Sequence, residues 1–212
     1  MKTDVPMVEW GVPLERAELV VLAVHGRDQS PSFMRETADR FGPAPVRFHA
    51  PEAVGNTWYP KPFLVPIEEN QPALDISLGV VGECVDQLAS KGFPPERVVL
   101  WGFSQGACLL SHYVLTVAPR QFGGIILFTG GYIGPLPLRP PGGSPLRGVE
   151  VLMRSVDEDP WVPRHRVAST AATLRHAGAS VDLRIDPGNE HIITDEACAA
   201  ATNLLAAGRS SR

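Results

Sequence analysis

Basic clusters, cysteine pairs and long apolar runs are all scarce in this 212-residue chain, and each scarcity closes off a class of function. Nineteen Lys and Arg stand against 23 Asp and Glu, for a formal charge of −4, and the basic residues form no patch. Nucleic acid and anionic membrane surfaces call for such patches, so neither is expected as a partner. Three cysteines, Cys84, Cys108 and Cys198, are too few and too scattered for a disulfide framework or a CxxC metal site, and they read as small buried apolar residues. No apolar run approaches the length that spans a bilayer, and the opening MKTDVPMVEWG lacks the apolar core of a signal peptide. The expectation is a cytoplasmic protein without stable membrane insertion.

What the chain does hold is an alternation of apolar runs and helix-like segments over its whole length. Leu19 to Val24, Val46 to His49, Arg97 to Trp101, Gly124 to Phe128, Val149 to Val156 and Val181 to Ile185 read as strands, several of them apolar throughout, as strands buried on both faces are. Between them, helices are predicted from Pro31 to about Phe41 with Ser30 as N-cap, from Pro72 to Lys91, from Ala107 to Val117, from His165 to Ala177 and from Thr194 to Ala206. This order implies an α/β domain, residues 1 to 212, with a mainly parallel sheet covered by helices on both faces. Glu52 to Gln71 is long, proline-rich and without period, the kind of loop that usually carries function. Residues 134 to 148, rich in proline and glycine, read as a surface connection that could serve as a lid, a homodimer contact or only a loop.

Val98 to Ala107, VVLWGFSQGA, is the most informative stretch. A strand runs into Gly102-Phe103-Ser104-Gln105-Gly106 and a helix follows at once, the context of a G-x-S-x-G nucleophile elbow. Side chains at Gly102 or Gly106 would collide with neighbouring backbone in so tight a turn. Ser104 is therefore the candidate nucleophile. It needs a base within reach and a group to orient that base. His191 follows the last predicted strand in Gly188-Asn189-Glu190-His191, where the base of a Ser…Asp…His order belongs, while His25 more plausibly shapes the turn after the first core strand. His49, His165 and His176 look like strand-end or helix-surface residues, and His112 points away from the elbow. Val149 to Val156 runs into Asp157-Glu158-Asp159-Pro160. Asp159 is preferred as the orienting carboxylate, because Pro160 fixes its backbone and Trp161-Val162-Pro163 can exclude water. Asp157 is the alternative, or else caps the loop.

The oxyanion of an acyl-transfer intermediate needs preorganised N–H donors. Gln105 N–H, at a helix start, is one. Arg27 N–H, after the first core strand, is the candidate for the other, its side chain either pairing with Asp28 in solvent or meeting a substrate carboxylate. Trp58, Tyr59, Phe63, Phe103 and Trp161 are candidates for lining a substrate pocket, with packing as their plainer role. No metal or organic cofactor is called for.

Val24-His25-Gly26, Gly102-Phe103-Ser104-Gln105-Gly106-Ala107, Asp159-Pro160-Trp161-Val162-Pro163 and Gly188-Asn189-Glu190-His191, in this order, resemble the phospholipase/carboxylesterase group of α/β-hydrolases, which also contains the acyl-protein thioesterases. The resemblance implies the α/β-hydrolase fold and makes the aspartate before the proline the triad member, in agreement with Asp159. Family members commonly carry a further glycine where this chain has Arg27-Asp28-Gln29-Ser30, which leaves the width of the oxyanion loop open. The 52 to 71 segment is more similar to the bacterial esterase branch. The expected activity is hydrolysis of a small-molecule ester with a small or medium acyl or aryl group, with thioesters and lysophospholipids as further substrates. The rival expectations are a serine-dependent acyltransferase or cyclase, and a catalytically silent binding protein on the same scaffold.

Overall fold

The computed structural model describes residues 5–207. Its centre is a seven-stranded sheet in the order β1-β3-β2-β4-β5-β6-β7, with β1 (Met7–Gly11), β2 (Leu19–Val24), β3 (Val46–Pro51), β4 (Val98–Phe103), β5 (Gly124–Phe128), β6 (Glu150–Val156) and β7 (Ser180–Asp186). All neighbouring pairs are parallel except β1 with β3. Every residue of β2, β4 and β5 is buried, as their unbroken apolar runs require. Alternate side chains go to opposite faces. Val20, Leu22 and Val24 join Val98 and Leu100 in one core, while Leu19, Val21 and Ala23 join Val99, Trp101 and Phe103 in the other.

The first core is roofed by α2 (Ala73–Ser90), α3 (Gln105–His112) and α4 (Arg164–His176), the second by α1 (Pro31–Ala38) and α5 (Asp195–Ala207). On α2 the predicted stripe Leu74, Leu78, Val81, Val85 and Leu88 is buried, each large side chain contributing roughly 1.5–3 kcal/mol by leaving water. The three cysteines are free and buried. Among the described residues no helix is long and apolar enough to cross a membrane.

Several local expectations are corrected. Helix α1 ends at Ala38 rather than near Phe41, and Ser30 stands at its N-cap position without a side-chain hydrogen bond, Pro31 supplying the start. Helix α3 begins at Gln105 and widens into a π turn over Tyr113–Val117. His49 is no strand-end residue but wholly buried, and His112 is buried as well. Strand β1 was not foreseen. It pairs only with β3, most of it stays partly exposed, and its five residues carry no apolar run.

One topological feature places the site. From β2 the chain crosses to β3 on one side, and from β3 it crosses to β4 on the other side of β2. The connections leaving β2 and β4 therefore part in opposite directions, opening a crevice beyond their carboxyl ends. His25-Gly26-Arg27 leaves β2 there, and Ser104-Gln105 leaves β4.

Candidate active site

Ser104 sits at φ 52° and ψ −118°, a strained conformation for a residue with a side chain, held by its N–H donating to Phe128 O at 2.9 Å. The two glycines make the turn possible. A Cβ at Gly102 would lie 2.6 Å from Ala107 N, and one at Gly106 would lie 2.6 Å from His25 O. Gly26 is tight as well: a Cβ there would stand 3.2 Å from that of Ser104, so the turn after β2 abuts the elbow.

The three expected polar side chains meet. His191 Nε2 is 2.8 Å from Ser104 Oγ, and His191 Nδ1 is 2.7 Å from Asp159 Oδ2. Asp159 Oδ1 accepts from the N–H groups of Trp161 and Val162, both at 2.9 Å, so the Asx turn considered for Asp157 is made by Asp159 itself. Asp157 instead accepts from Gly188 N at 3.0 Å, tying the carboxylate loop to the histidine loop. Burial pushes the Asp159 carboxyl up, but the hydrogen bonds from His191, Trp161 and Val162 outweigh it and hold it below the usual carboxylate range. An ionised acceptor on Nδ1 leaves Nε2 free to take a proton from the serine hydroxyl. Val162 shields this contact at 2% exposure, whereas Trp161, expected to help, is 71% exposed.

His25 serves structure, as expected. Its ring is wholly buried, and Nε2 accepts from Ala53 N at 3.1 Å, which leaves Nδ1 to donate to Gly26 O at 2.7 Å. Those two roles need a neutral imidazole, and burial pushes its pKa down accordingly. Asp28 takes φ 58°, the left-handed conformation that a glycine would adopt without strain, and its N–H reaches Asn56 O at 2.8 Å. The Arg27 side chain is a correction. It pairs with no carboxylate among the described residues. It lies instead across residues 57–61, donating to Thr57, Tyr59, Pro60 and Lys61.

Beside Ser104 and His191 lies a cavity of about 380 Å³, walled by Tyr59, Phe63, Cys108 and Val162 and rimmed by Trp161. Two of the five expected lining residues are not part of it. Trp58 is buried in the first core, with its indole N–H on His25 O at 2.9 Å. Phe103 packs instead against the catalytic-type imidazole, ring centroids 5.1 Å apart. Cys108 was missed, although it stands four residues after Ser104 and so shares its helix face. Burial pushes its thiol up to about 12, which keeps it from competing as a nucleophile near neutral pH. Among the described residues no group of three or more His, Cys, Asp or Glu is placed to hold a metal ion.

Known proteins share this arrangement of the chain. A profile of a family described as phospholipase/carboxylesterase matches residues 44–207. A phospholipase/carboxylesterase from Dyadobacter fermentans DSM 18053 superimposes with a TM-score of 0.86 at 35% identity, over 94% of this chain and 95% of that one. SOBER1 of Arabidopsis thaliana shares the fold, with a TM-score of 0.73 at 19% identity over 92% of this chain and 100% of that one. Acyl-protein thioesterase 1 of Schizosaccharomyces pombe is 31% identical over 110 residues, 50% of this chain and 47% of that protein. The match thus spans about half the length of that relative.

Proposed function

Because the chain belongs to the phospholipase/carboxylesterase family of α/β-hydrolases, we propose that it cleaves carboxylic esters with small or medium acyl or aryl groups through an acyl-Ser104 intermediate. The observation that carries this reading is the pair of contacts linking Ser104 to His191 and His191 to Asp159. Ser104 Oγ attacks the ester carbonyl carbon while its proton passes to His191 Nε2. The carbonyl π electrons move to oxygen, and the oxyanion accepts hydrogen bonds from the N–H groups of Arg27 and Gln105. Collapse breaks the bond to the leaving alcohol, which takes the proton back from Nε2. A water molecule then repeats the sequence: His191 removes its proton, its oxygen attacks the acyl carbon, and Ser104 leaves protonated. Asp159 remains ionised throughout and holds the ring.

The cavity supports the substrate class. Its volume of about 380 Å³ and its walls of Tyr59, Phe63 and Val162 suit a compact apolar group. Neither terminal nitrogen of Arg27 is left for a substrate carboxylate, since each already donates to two oxygens.

Replacing Ser104 with alanine tests the reading. Hydrolysis of a short p-nitrophenyl ester is expected to fall at least about a thousandfold, and a fluorophosphonate probe should label the wild type at Ser104 alone. Retention of most of the activity would mean a different nucleophile. A ladder of esters and thioesters graded by acyl length should peak at short to medium chains. Transfer to an added alcohol outrunning hydrolysis would point to an acyltransferase.

A further inference from the structure

The two residues proposed above to supply the oxyanion N–H groups also reach, with their side chains, to one short segment that contributes Tyr59 and Pro60 to the cavity lining. Arg27 Nη1 donates to Thr57 Oγ1 and Pro60 O, both at 3.1 Å, and Nη2 to Tyr59 O at 2.9 Å and Lys61 O at 3.0 Å. Gln105 Nε2 donates to Tyr59 O at 2.8 Å and Thr57 Oγ1 at 3.2 Å, while its Oε1 accepts from Trp58 N at 2.9 Å. Both side chains converge on the same two oxygens, the Tyr59 carbonyl and the Thr57 hydroxyl. Their own N–H groups donate to no backbone acceptor among the described residues.

We infer that the Thr57–Lys61 segment is a template that sets the oxyanion hole, with the side chains of Arg27 and Gln105 as positioning residues that clamp their own backbone N–H donors to it. This inference rests on the ester-hydrolase reading and adds how its oxyanion donors are held. The physical need is plain. Arg27 lies in a loop without a further glycine-rich frame, next to the strained Asp28, and a single β2 connection does not by itself fix the direction of its N–H. Four hydrogen bonds from one planar fork do so, since a guanidinium meets several acceptors only in one orientation. Gln105 is 5% exposed, and its amide, bonded at both ends, fixes the first turn of α3 against the same segment. Oxyanion stabilisation depends on donors that need no reorganisation as charge develops, so looseness here lowers turnover rather than substrate affinity. The guanidinium has a second effect. Its four acceptors are neutral, so its positive charge remains in the cavity wall beside Ser104, where negative charge appears in the reaction.

The test uses variants that keep every backbone N–H. Thr57→Val removes the shared hydroxyl from a residue that does not line the cavity. Arg27→Met and Gln105→Leu remove the two clamps, and Arg27→Lys keeps the charge but not the fork. On a short p-nitrophenyl ester, kcat should fall roughly tenfold to a hundredfold for Arg27→Met and Gln105→Leu and roughly threefold to tenfold for Thr57→Val, with KM within about threefold. Arg27→Lys should recover only part of the loss. Affinity for an alkylboronic acid, which presents a tetrahedral oxyanion at the serine, should fall in step with kcat/KM across the series. Because a misfolded variant would also lose turnover, active-site titration with a fluorophosphonate and the melting temperature accompany each value. Variants that keep kcat, that lose only KM, or whose boronate affinity stays constant while kcat falls would overturn the clamp. Full activity in Ser104→Ala would instead overturn the underlying hydrolase reading, leaving the two failures distinct.

Discussion

Two of the cavities on this molecule are close in size but differ in which of their groups are left unengaged. The groove between α5 and the β6–β7 edge, about 460 Å³, is the larger, against about 380 Å³ at the carboxyl ends of β2 and β4. It even holds a buried cation. But Arg154 donates to Glu196 and to the Asp182 carboxylate, both at 2.8 Å, and to the carbonyls of Met153 and Asp182, so its charge is neutralised and its donors are engaged. Beside Ser104 the balance differs: a hydroxyl poised on an imidazole, two backbone donors without backbone acceptors, and an arginine whose terminal donors are engaged by neutral oxygens, leaving its charge unpaired with any carboxylate among the described residues. Unengaged donors and unneutralised charge, rather than volume, single out the candidate reactive cleft.

The contrast breaks most readily at Asp159. Asp159→Asn keeps the shape but removes the ionised acceptor on His191 Nδ1, and kcat should fall by about a thousandfold or more, while steady-state kinetics and thermal melting separate this loss from unfolding. Activity near wild type would show that the carboxylate has no part in turnover. The next largest effect concerns stability at the opposite edge of the sheet. His49 is wholly buried, with Glu9 Oε1 3.4 Å from Nδ1 and Arg47 and Lys91 bonded to the same Glu9. Burial pushes its pKa down to about 4, against the pull of Glu9. The unfolded chain binds this proton near 6.5 and the folded one only near 4, so the contribution is fully present above pH 6.5 and is lost as pH falls to 4. The loss is about 3 kcal/mol, read from urea unfolding at graded pH. His49→Gln should flatten the curve in that window; an unchanged slope would show that His49 does not titrate there. The smallest effect belongs to the larger cavity. Arg154→Ala should cost about 2 kcal/mol of stability, yet leave kcat/KM within about twofold, and a greater loss of activity would show that the groove is coupled to the site.

Much of this was visible in the chain before any coordinates. Runs such as Leu19 to Val24 and Gly124 to Phe128 are strands because nothing in them could face water, and their structural bounds match the apolar runs. The elbow was legible because the collision that demands Gly102 is local, with Gly106 and Ala107, although the one at Gly106 is with Val24 and His25 at the end of β2 and depends on strand pairing. Strand β1 was not, since a short edge strand owes its extended form to its partner and not to its own pattern. Trp58 and Tyr59 show the same limit at one-residue resolution. In a loop without period nothing assigns neighbouring side chains to faces, and one went to the core while the other went to the cavity. The reach of Arg27 to four oxygens more than 29 residues away had no sequence signal at all.

Local composition by itself determined which segments are strands and helices, and which residue types stand at the strand ends where a serine, an aspartate and a histidine are needed. Only the tertiary structure decided that residues 87 and 32 positions apart share hydrogen bonds, and that the turn after β2 is fastened to the 57–61 segment. The reason is physical. Burial and turn strain are properties of a few consecutive residues, whereas the meeting of loops beyond β2, β4, β6 and β7 depends on strand order and register, which long-range packing alone selects.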